Sequence, residues 1–337
     1  MLNINRILYA TDFSSSSESA LFHALYLARK HGAELHMLHA IVLHADDPHD
    51  PAHHFPDLDA LDTRLREAAG DRMADMLAVH GASEDVVIQA QRRGIAAAPT
   101  IIEYAEDEDI DLIVMGTHGR RGLKRMLLGS VAEEVIRLAP CPVMVVRPAK
   151  HGSVHPFASV LVPVDFSVYS RVTVANAKRL ADLYGAELIL LHVLEENDLP
   201  ALYSRSVPAE LAIEIPPAEL VRLNIGLMLE EVVGRTLEAE MQVLVGDAVS
   251  VITQFARSRS VDLVVIASHG KGAIERLLTG SVAGGVISHA PCSMLVVKPF
   301  GKGLTSQPEV SAGGMYEIEA SVERPAETDH ELVGSTS

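Results

Sequence analysis

Residues Asp111 to Pro148 read DLIVMGTHGRRGLKRMLLGSVAEEVIRLAPCPVMVVRP. An acidic turn opens into the apolar run Leu112 to Met115, the pattern of a strand buried on both faces. The run stops at Gly116. A basic glycine loop follows, with Gly119 and Gly122 among Arg120, Arg121, Lys124 and Arg125. Gly129-Ser130 then starts a helix with Val131, Val135, Ile136 and Leu138 on its apolar side. Pro140 closes it, and Val143 to Val146 form another buried strand. Glycines let a backbone approach a ligand closely. A helix N-terminus offers unpaired N–H groups and partial positive charge, which suits phosphate. Ser130 adds a hydroxyl there, and with Glu133 it also fits a capping box. Capping and ligand binding are compatible roles.

The stretch occurs twice. Asp262 to Pro299 reads DLVVIASHGKGAIERLLTGSVAGGVISHAPCSMLVVKP and aligns without a gap, 151 positions later. Gly119 maps to Gly270, Gly129 to Gly280, Ser130 to Ser281 and Cys141 to Cys292. Earlier in the chain the offset is 153: Asp12 maps to Asp165, Gly32 to Gly185 and His39 to His192. The chain is a tandem repeat.

A length of 337 residues accommodates two ordinary domains. Aliphatic-rich, aromatic-poor composition (48% hydrophobic, 4% aromatic, no Trp) suits parallel sheets covered by helices. A net charge of −17 argues against general binding to nucleic acid or anionic lipid, so the basic loop at Arg120 to Arg125 points to a small anion. The two cysteines precede apolar strands at equivalent positions and read as buried thiols in a reducing compartment. With no signal-peptide pattern and no bilayer-length apolar run, the expected location is cytoplasmic, with no membrane partner.

In order, Arg6 to Ala10 reads as the first strand. A helix runs from about Glu18 to His31 and stops at Gly32. Further strands are Leu35 to Ile41 and Val86 to Gln91, with helices over Leu61 to His80 and Thr100 to Glu106. The second half repeats this with strands at Val160 to Val164, Leu188 to Val193 and Met241 to Val245. Alternating strands and helices give an α/β fold, each half a five-stranded parallel sheet with helices on both faces. Expected bounds are 1–148 and 155–299, joined by 149–154 and followed by an acidic, disordered tail over 300–337. His44 to Asp62, rich in His and Asp, matches no metal-ligand spacing and reads as a solvated loop. Asp12, at the carboxyl end of a first parallel strand, lies where open α/β sheets bind ligands.

These residues resemble the universal stress protein (UspA-type) family in each half. The glycine pattern at Gly116, Gly119, Gly129 and Ser130 is the most specific match. TDFS at Thr11 to Ser14, LHAI at Leu38 to Ile41 and APCPVMVVRP at Ala139 to Pro148 support it. The resemblance implies two tandem Rossmann-like domains of the adenine nucleotide alpha hydrolase-like kind. It implies a stress-response protein that binds ATP, with or without Mg²⁺, as a nucleotide-dependent sensor or regulator. Carried over, the first-half site is Asp12, Ala40, Met115, Gly116, Gly119, Gly129, Ser130 and Val131. The second-half site is Asp165, Val193, Gly270, Gly280, Ser281 and Val282. There Ala267 replaces the first glycine, placing a methyl where a ligand is expected to approach. Arg121 becomes Gly272 and Lys124 becomes Glu275, so the first half is the stronger expected site. The family's dimerisation through its last strand implies an intrachain pseudo-dimer, Val143 to Val146 against Met294 to Val297, or a homodimer. A protein partner is implied without being specified.

Two other functions compete. One is a slow ATPase, for which His118 and His269 in the glycine loops are the acid–base candidates. No Walker A motif, SGGxDS-type loop or positioned general base accompanies them, so no catalytic residue is assigned. The other is a nucleotide-free scaffold, which has no need of the glycine spacing. A dinucleotide fingerprint is missing from the first strand, which ends in Thr11-Asp12.

Overall fold

The structure is a computed structural model that describes residues 2–42, 58–82, 86–117, 128–148, 155–195, 216–233, 239–268, 280–298 and 302–304. Gly119, Gly270, His118 and His269, the basic loop residues, the segment 43–57, the linker 149–154 and the chain beyond 304 lie outside the described residues.

The first half runs β1 (Arg6–Ala10), α1 (Ser15–His31), β2 (Glu34–Val42), α2 (Leu58–Val79), β3 (Val87–Gly94), α3 (Ala97–Asp107), β4 (Leu112–Gly116), α4 (Ser130–Leu138) and β5 (Val143–Val146). The second runs β6 (Ser159–Pro163), α5 (Val168–Tyr184), β7 (Glu187–Leu194), α6 (Pro217–Val233), β8 (Glu240–Val245), α7 (Ala248–Ser258), β9 (Leu263–Ala267), α8 (Ser281–His289) and β10 (Ser293–Val297). Leu58 to Asp62, expected as the end of an irregular loop, are the first turn of α2. Gly32 and Gly185 end α1 and α5 in the left-handed region, at φ 65° and 68°, where a side chain is strained.

The ten strands form one sheet in the order β3-β2-β1-β4-β5-β10-β9-β6-β7-β8. All pairs within a half are parallel. The halves meet where β5 and β10 pair antiparallel, with Met294 opposite Val145, Leu295 opposite Met144 and Val296 opposite Val143. The two strands expected to pair therefore do so, and neither is left as an open edge.

The hydrophobic core divides by sheet face, not by repeat. Because side chains alternate along a strand, Tyr9, Val114, Met144 and Leu295 face α1, α2, α5 and α6 through Leu21, Met73, Val174 and Leu220. Leu8, Ile113, Val145 and Met294 face α3, α4, α7 and α8 through Ile101, Val135, Ile252 and Val286. Each layer runs through both halves.

Three further joints lock the halves. In an aromatic cluster, His23 stacks on Phe157 at 4.0 Å and Tyr26 on Tyr184 at 4.7 Å. Tyr26 Oη donates to Leu183 O at 2.9 Å. The ammonium of Lys298, just after β10, donates to Ile136 O and Arg137 O, carbonyls at the end of α4. Finally, the chain returns after β10. Lys302 reaches Asp109 and Asp111 at 2.8 and 3.0 Å, Asn3 N donates to Leu304 O at 2.7 Å, and Leu304 is buried. The tail expected from 300 thus begins with a piece docked on the first half. Both cysteines are buried free thiols, and burial pushes that of Cys141 up to about 12.

Candidate functional site

In each half the chain leaves the central strand in one direction and returns on its other side. The order 3-2-1-4-5 reverses between β1 and β4, and between β6 and β9. Such a switch point opens a crevice beyond the carboxyl ends of those strands. The segments that end there are Thr11 to Ser14 after β1 and Gly116-Thr117 after β4.

The turn after β1 is built by side chains bonding to nearby backbone. Ser14 N donates to Asp12 Oδ1 at 3.0 Å, and Phe13 N donates to Thr11 Oγ1 at 3.0 Å. Phe13 sits at φ 62° and Phe166 at φ 59°, a conformation uncommon for a bulky residue and present in both repeats. The Phe13 ring packs on His39 at 4.5 Å, and Phe166 on His192 at 4.7 Å. Each histidine donates from Nδ1 to a turn carbonyl, His39 to Thr11 O at 2.9 Å and His192 to Val164 O at 2.7 Å. This tie fixes the exit of β1 against β2. It was not singled out from the sequence, although the repeats carry its signal: Asp-Phe-Ser recurs 153 positions on, and His39 recurs as His192.

Leu38 O accepts from Thr11 N at 2.9 Å. Peptide groups alternate in direction along a strand, so those of Ala40, two residues further, face the place where β1 has ended. Val193 stands likewise beyond Leu191, whose carbonyl accepts from Val164 N at 2.9 Å. Met115 pairs with Ala10 and Val145 and its side chain is core, so only its backbone is available at the crevice.

Gly129 N donates to Thr117 O at 2.8 Å, and Gly280 N to Ser268 O at 3.0 Å. The excursion of each glycine loop therefore starts and closes on the end of β4 or β9. Gly129 and Gly280, not the serines, are the N-caps, and neither helix has a side-chain cap hydrogen bond. The capping-box reading of Ser130 is corrected: it is the first helical residue, exposed, one position too late to cap. Val131 and Val282 follow, each 36% exposed. By contrast Ser14, Ser167 and Asp247 cap α1, α5 and α7 with their side chains. Helix α3 also lacks a side-chain cap, but it follows the edge strand β3, away from the switch point. At the crevice, then, α4 and α8 present first-turn N–H groups and exposed serines.

Gly116 also has a packing reason. A Cβ there would meet Ser16 C and Ser17 N at 2.7 Å, backbone of the first turn of α1. The glycine admits the first turn of α1; at the equivalent place in the second half stands Ala267, with a methyl that Gly116 lacks.

The halves differ elsewhere. In the first, Ser17 Oγ donates to Ser14 O at 2.9 Å and lies 3.2 Å from Thr11 Oγ1. In the second, Val164 replaces Thr11. Ser170 Oγ then turns to Asp165, donating to Oδ1 at 2.5 Å and accepting from Asp165 N at 3.0 Å. Ser167 N also donates to that oxygen, at 3.0 Å. Oδ1 of Asp165 thus carries two internal donors, from Ser170 and Ser167. Among the described residues, no cluster of three or more His, Cys, Asp or Glu could hold a metal ion, and no helix is long and apolar enough to cross a membrane.

A universal stress protein of Mycobacterium tuberculosis is 30% identical over 224 residues, 65% of this chain and 71% of its own. One from Mycolicibacterium smegmatis is 26% identical over 301 residues, 87% of this chain and 97% of its own. A solved universal stress protein from Archaeoglobus fulgidus shares the fold, with a TM-score of 0.59 at 22% identity, covering 88% of this chain and 99% of its own. Residues 3–147 and 156–298 each match the universal stress protein family, so the chain, with its two copies of the switch-point crevice, belongs to that family.

Proposed function

We propose that the chain binds ATP, chiefly in its first half, and serves in the stress response as a nucleotide-dependent sensor or regulator. One observation carries the reading: an uncapped helix N-terminus with an exposed serine stands with an aspartate turn at the switch point. Asp12 would accept from the adenine amino group or a ribose hydroxyl. The peptide groups of Ala40 would border the base. The N–H groups of Ser130 and Val131 and the Ser130 hydroxyl would take phosphate, in the manner of helix N-termini generally. Gly119 and the positive charge of the basic loop residues would serve the ribose and phosphates. The second half offers Asp165, Val193, Gly270, Gly280, Ser281 and Val282, but Gly272 stands there for Arg121 and Glu275 for Lys124, a loss of positive charge that favours the first half.

The test is calorimetric titration of ATP, with and without Mg²⁺, into protein freed of copurified nucleotide, alongside Gly129→Val and Gly280→Val variants. The expected result is binding abolished by Gly129→Val and little changed by Gly280→Val. Equal loss in both variants would make the two halves equivalent. No binding by the native chain would overturn the reading and leave a scaffold acting through protein partners. Multiple turnovers of ATP would instead make the protein an enzyme.

A further inference from the structure

A cavity of about 380 Å³ lies on the outer side of α1, away from both crevices, lined by Phe22, Leu25, Tyr26, Arg29, Lys30 and His80. Its size falls within the usual range for small-ligand sites. Its floor is apolar: Leu25 is buried, and the rings of Phe22 and Tyr26 lie near-parallel at 6.3 Å. Tyr26 is held in place, since its hydroxyl donates to Leu183 O and its ring stacks on Tyr184. The rim is cationic, with Arg29 and Lys30 exposed and Lys30 Nζ 5.5 Å from the Tyr26 ring centroid. His80 brings a buried ring nitrogen, Nε2, that has no partner among the described residues.

Ordinary structural needs explain only part of this. Arg29 and Lys30 also suit the negative end of α1. Tyr26 also serves the joint between the halves through Leu183 and Tyr184, and neither role calls for the Phe22 ring beside it. The repeat supplies a control. At the 153-residue offset Phe22, Leu25, Tyr26, Arg29 and Lys30 become Ala175, Lys178, Arg179, Asp182 and Leu183. The second half keeps the helix and loses the aromatic floor and the arrangement of charge. The cavity is therefore not a by-product of the shared fold.

We propose that this cavity binds a small aryl carboxylate. The ring lies against Phe22, Leu25 and Tyr26, and the carboxylate faces Arg29 and Lys30. Aromatic contact supplies the apolar burial and the cations supply charge complementarity. A cation would meet like charge at the rim, and a neutral arene would leave the guanidinium and ammonium unused.

The test titrates 2-naphthoate into the full chain by calorimetry, with the neutral 2-naphthamide as the matched control. Expected are saturable one-to-one binding of the acid, at least tenfold weaker binding of the amide, and at least tenfold loss of acid binding in an Arg29→Gln/Lys30→Gln variant. Both substituted residues are exposed, so this variant retains the fold, to be checked by circular dichroism. Tyr26→Ala should lose binding as well. ATP titrations of the charge variant should stay within twofold of the native chain, which separates this site from the switch-point crevice. No saturable binding up to millimolar acid, equal binding of acid and amide, or undiminished binding by the charge variant would each overturn the proposal.

Discussion

At the scale of single residues, one glycine can meet a packing need that its sequence pattern does not disclose. The sequence pattern groups Gly116 with Gly119 and Gly129 as if all three made room for a ligand. A Cβ at Gly116 would also meet backbone atoms of Ser16 and Ser17. Gly116→Ala should therefore destabilise the fold by about 1–3 kcal/mol, the usual cost of forcing a group into packed backbone. The reciprocal Ala267→Gly should cost no more than about 1 kcal/mol. Urea unfolding of the two variants checks this, and equal small effects would refute it. No spacing rule reveals this reason, because the atoms that forbid a side chain lie a hundred residues away in sequence. The Asp165 difference was equally hidden. It follows from one hydroxyl, that of Thr11, which Val164 lacks and whose absence redirects Ser170.

At the scale of elements, periodicity and breakers were enough to order the strands and helices. Gly32, Gly185 and the apolar runs left few choices. What they did not resolve was the start of α4, where Gly129 and Ser130 both qualify as a cap. Since Ser130 lies one position inside the helix and makes no cap bond, Ser130→Ala should change unfolding free energy by less than about 0.5 kcal/mol. Ser14→Ala, which removes the bond from Ser17 N, should cost about 1 kcal/mol. A Ser130 effect as large as that of Ser14 would restore the capping role and weaken the case for a ligand. The docked piece at 302–304 was also missed, because a short segment between glycines and a polar tail has no period to read. Leu304 is 1% exposed and packs in the same layer as Leu2 and Ile4. Leu304→Ala should lower stability by about 2–3 kcal/mol, measured by chemical denaturation. A change within about 0.5 kcal/mol would mean the segment is not docked in solution.

At the scale of the whole molecule, two repeats become one sheet and two shared core layers. The order of elements was readable from each repeat alone. Pairing of β5 with β10 came from the family resemblance, and the aromatic joint came from neither, because its partners are far apart and unlike between repeats. That joint makes the union sensitive to acid. His23 is 2% exposed, stacked on Phe157 with Nδ1 3.2 Å from Tyr184 Oη, and burial lowers its pKa from 6.5 to about 3. Above pH 6.5 neither folded nor unfolded His23 holds the extra proton, and its contribution is constant. Below pH 6.5 the unfolded chain takes up a proton that the folded chain refuses until about pH 3. Stability then falls with pH by up to about 1.4 kcal/mol per unit, or about 2 kcal/mol by pH 5. His31 and His80, also lowered by burial, act in the same direction, so total acid sensitivity does not isolate His23. The comparison that does is His23→Phe, which keeps a ring for Phe157 and gives up the contact with the Tyr184 hydroxyl. Its stability at pH 7.5 will differ from the native value by a constant offset. Between pH 6.5 and 5 its curve should be shallower than the native one by about 1.4 kcal/mol per unit, read from urea unfolding at half-unit steps. Parallel curves would mean that His23 is protonated inside the folded joint, and that the two halves are held together there by something other than a neutral, desolvated stack.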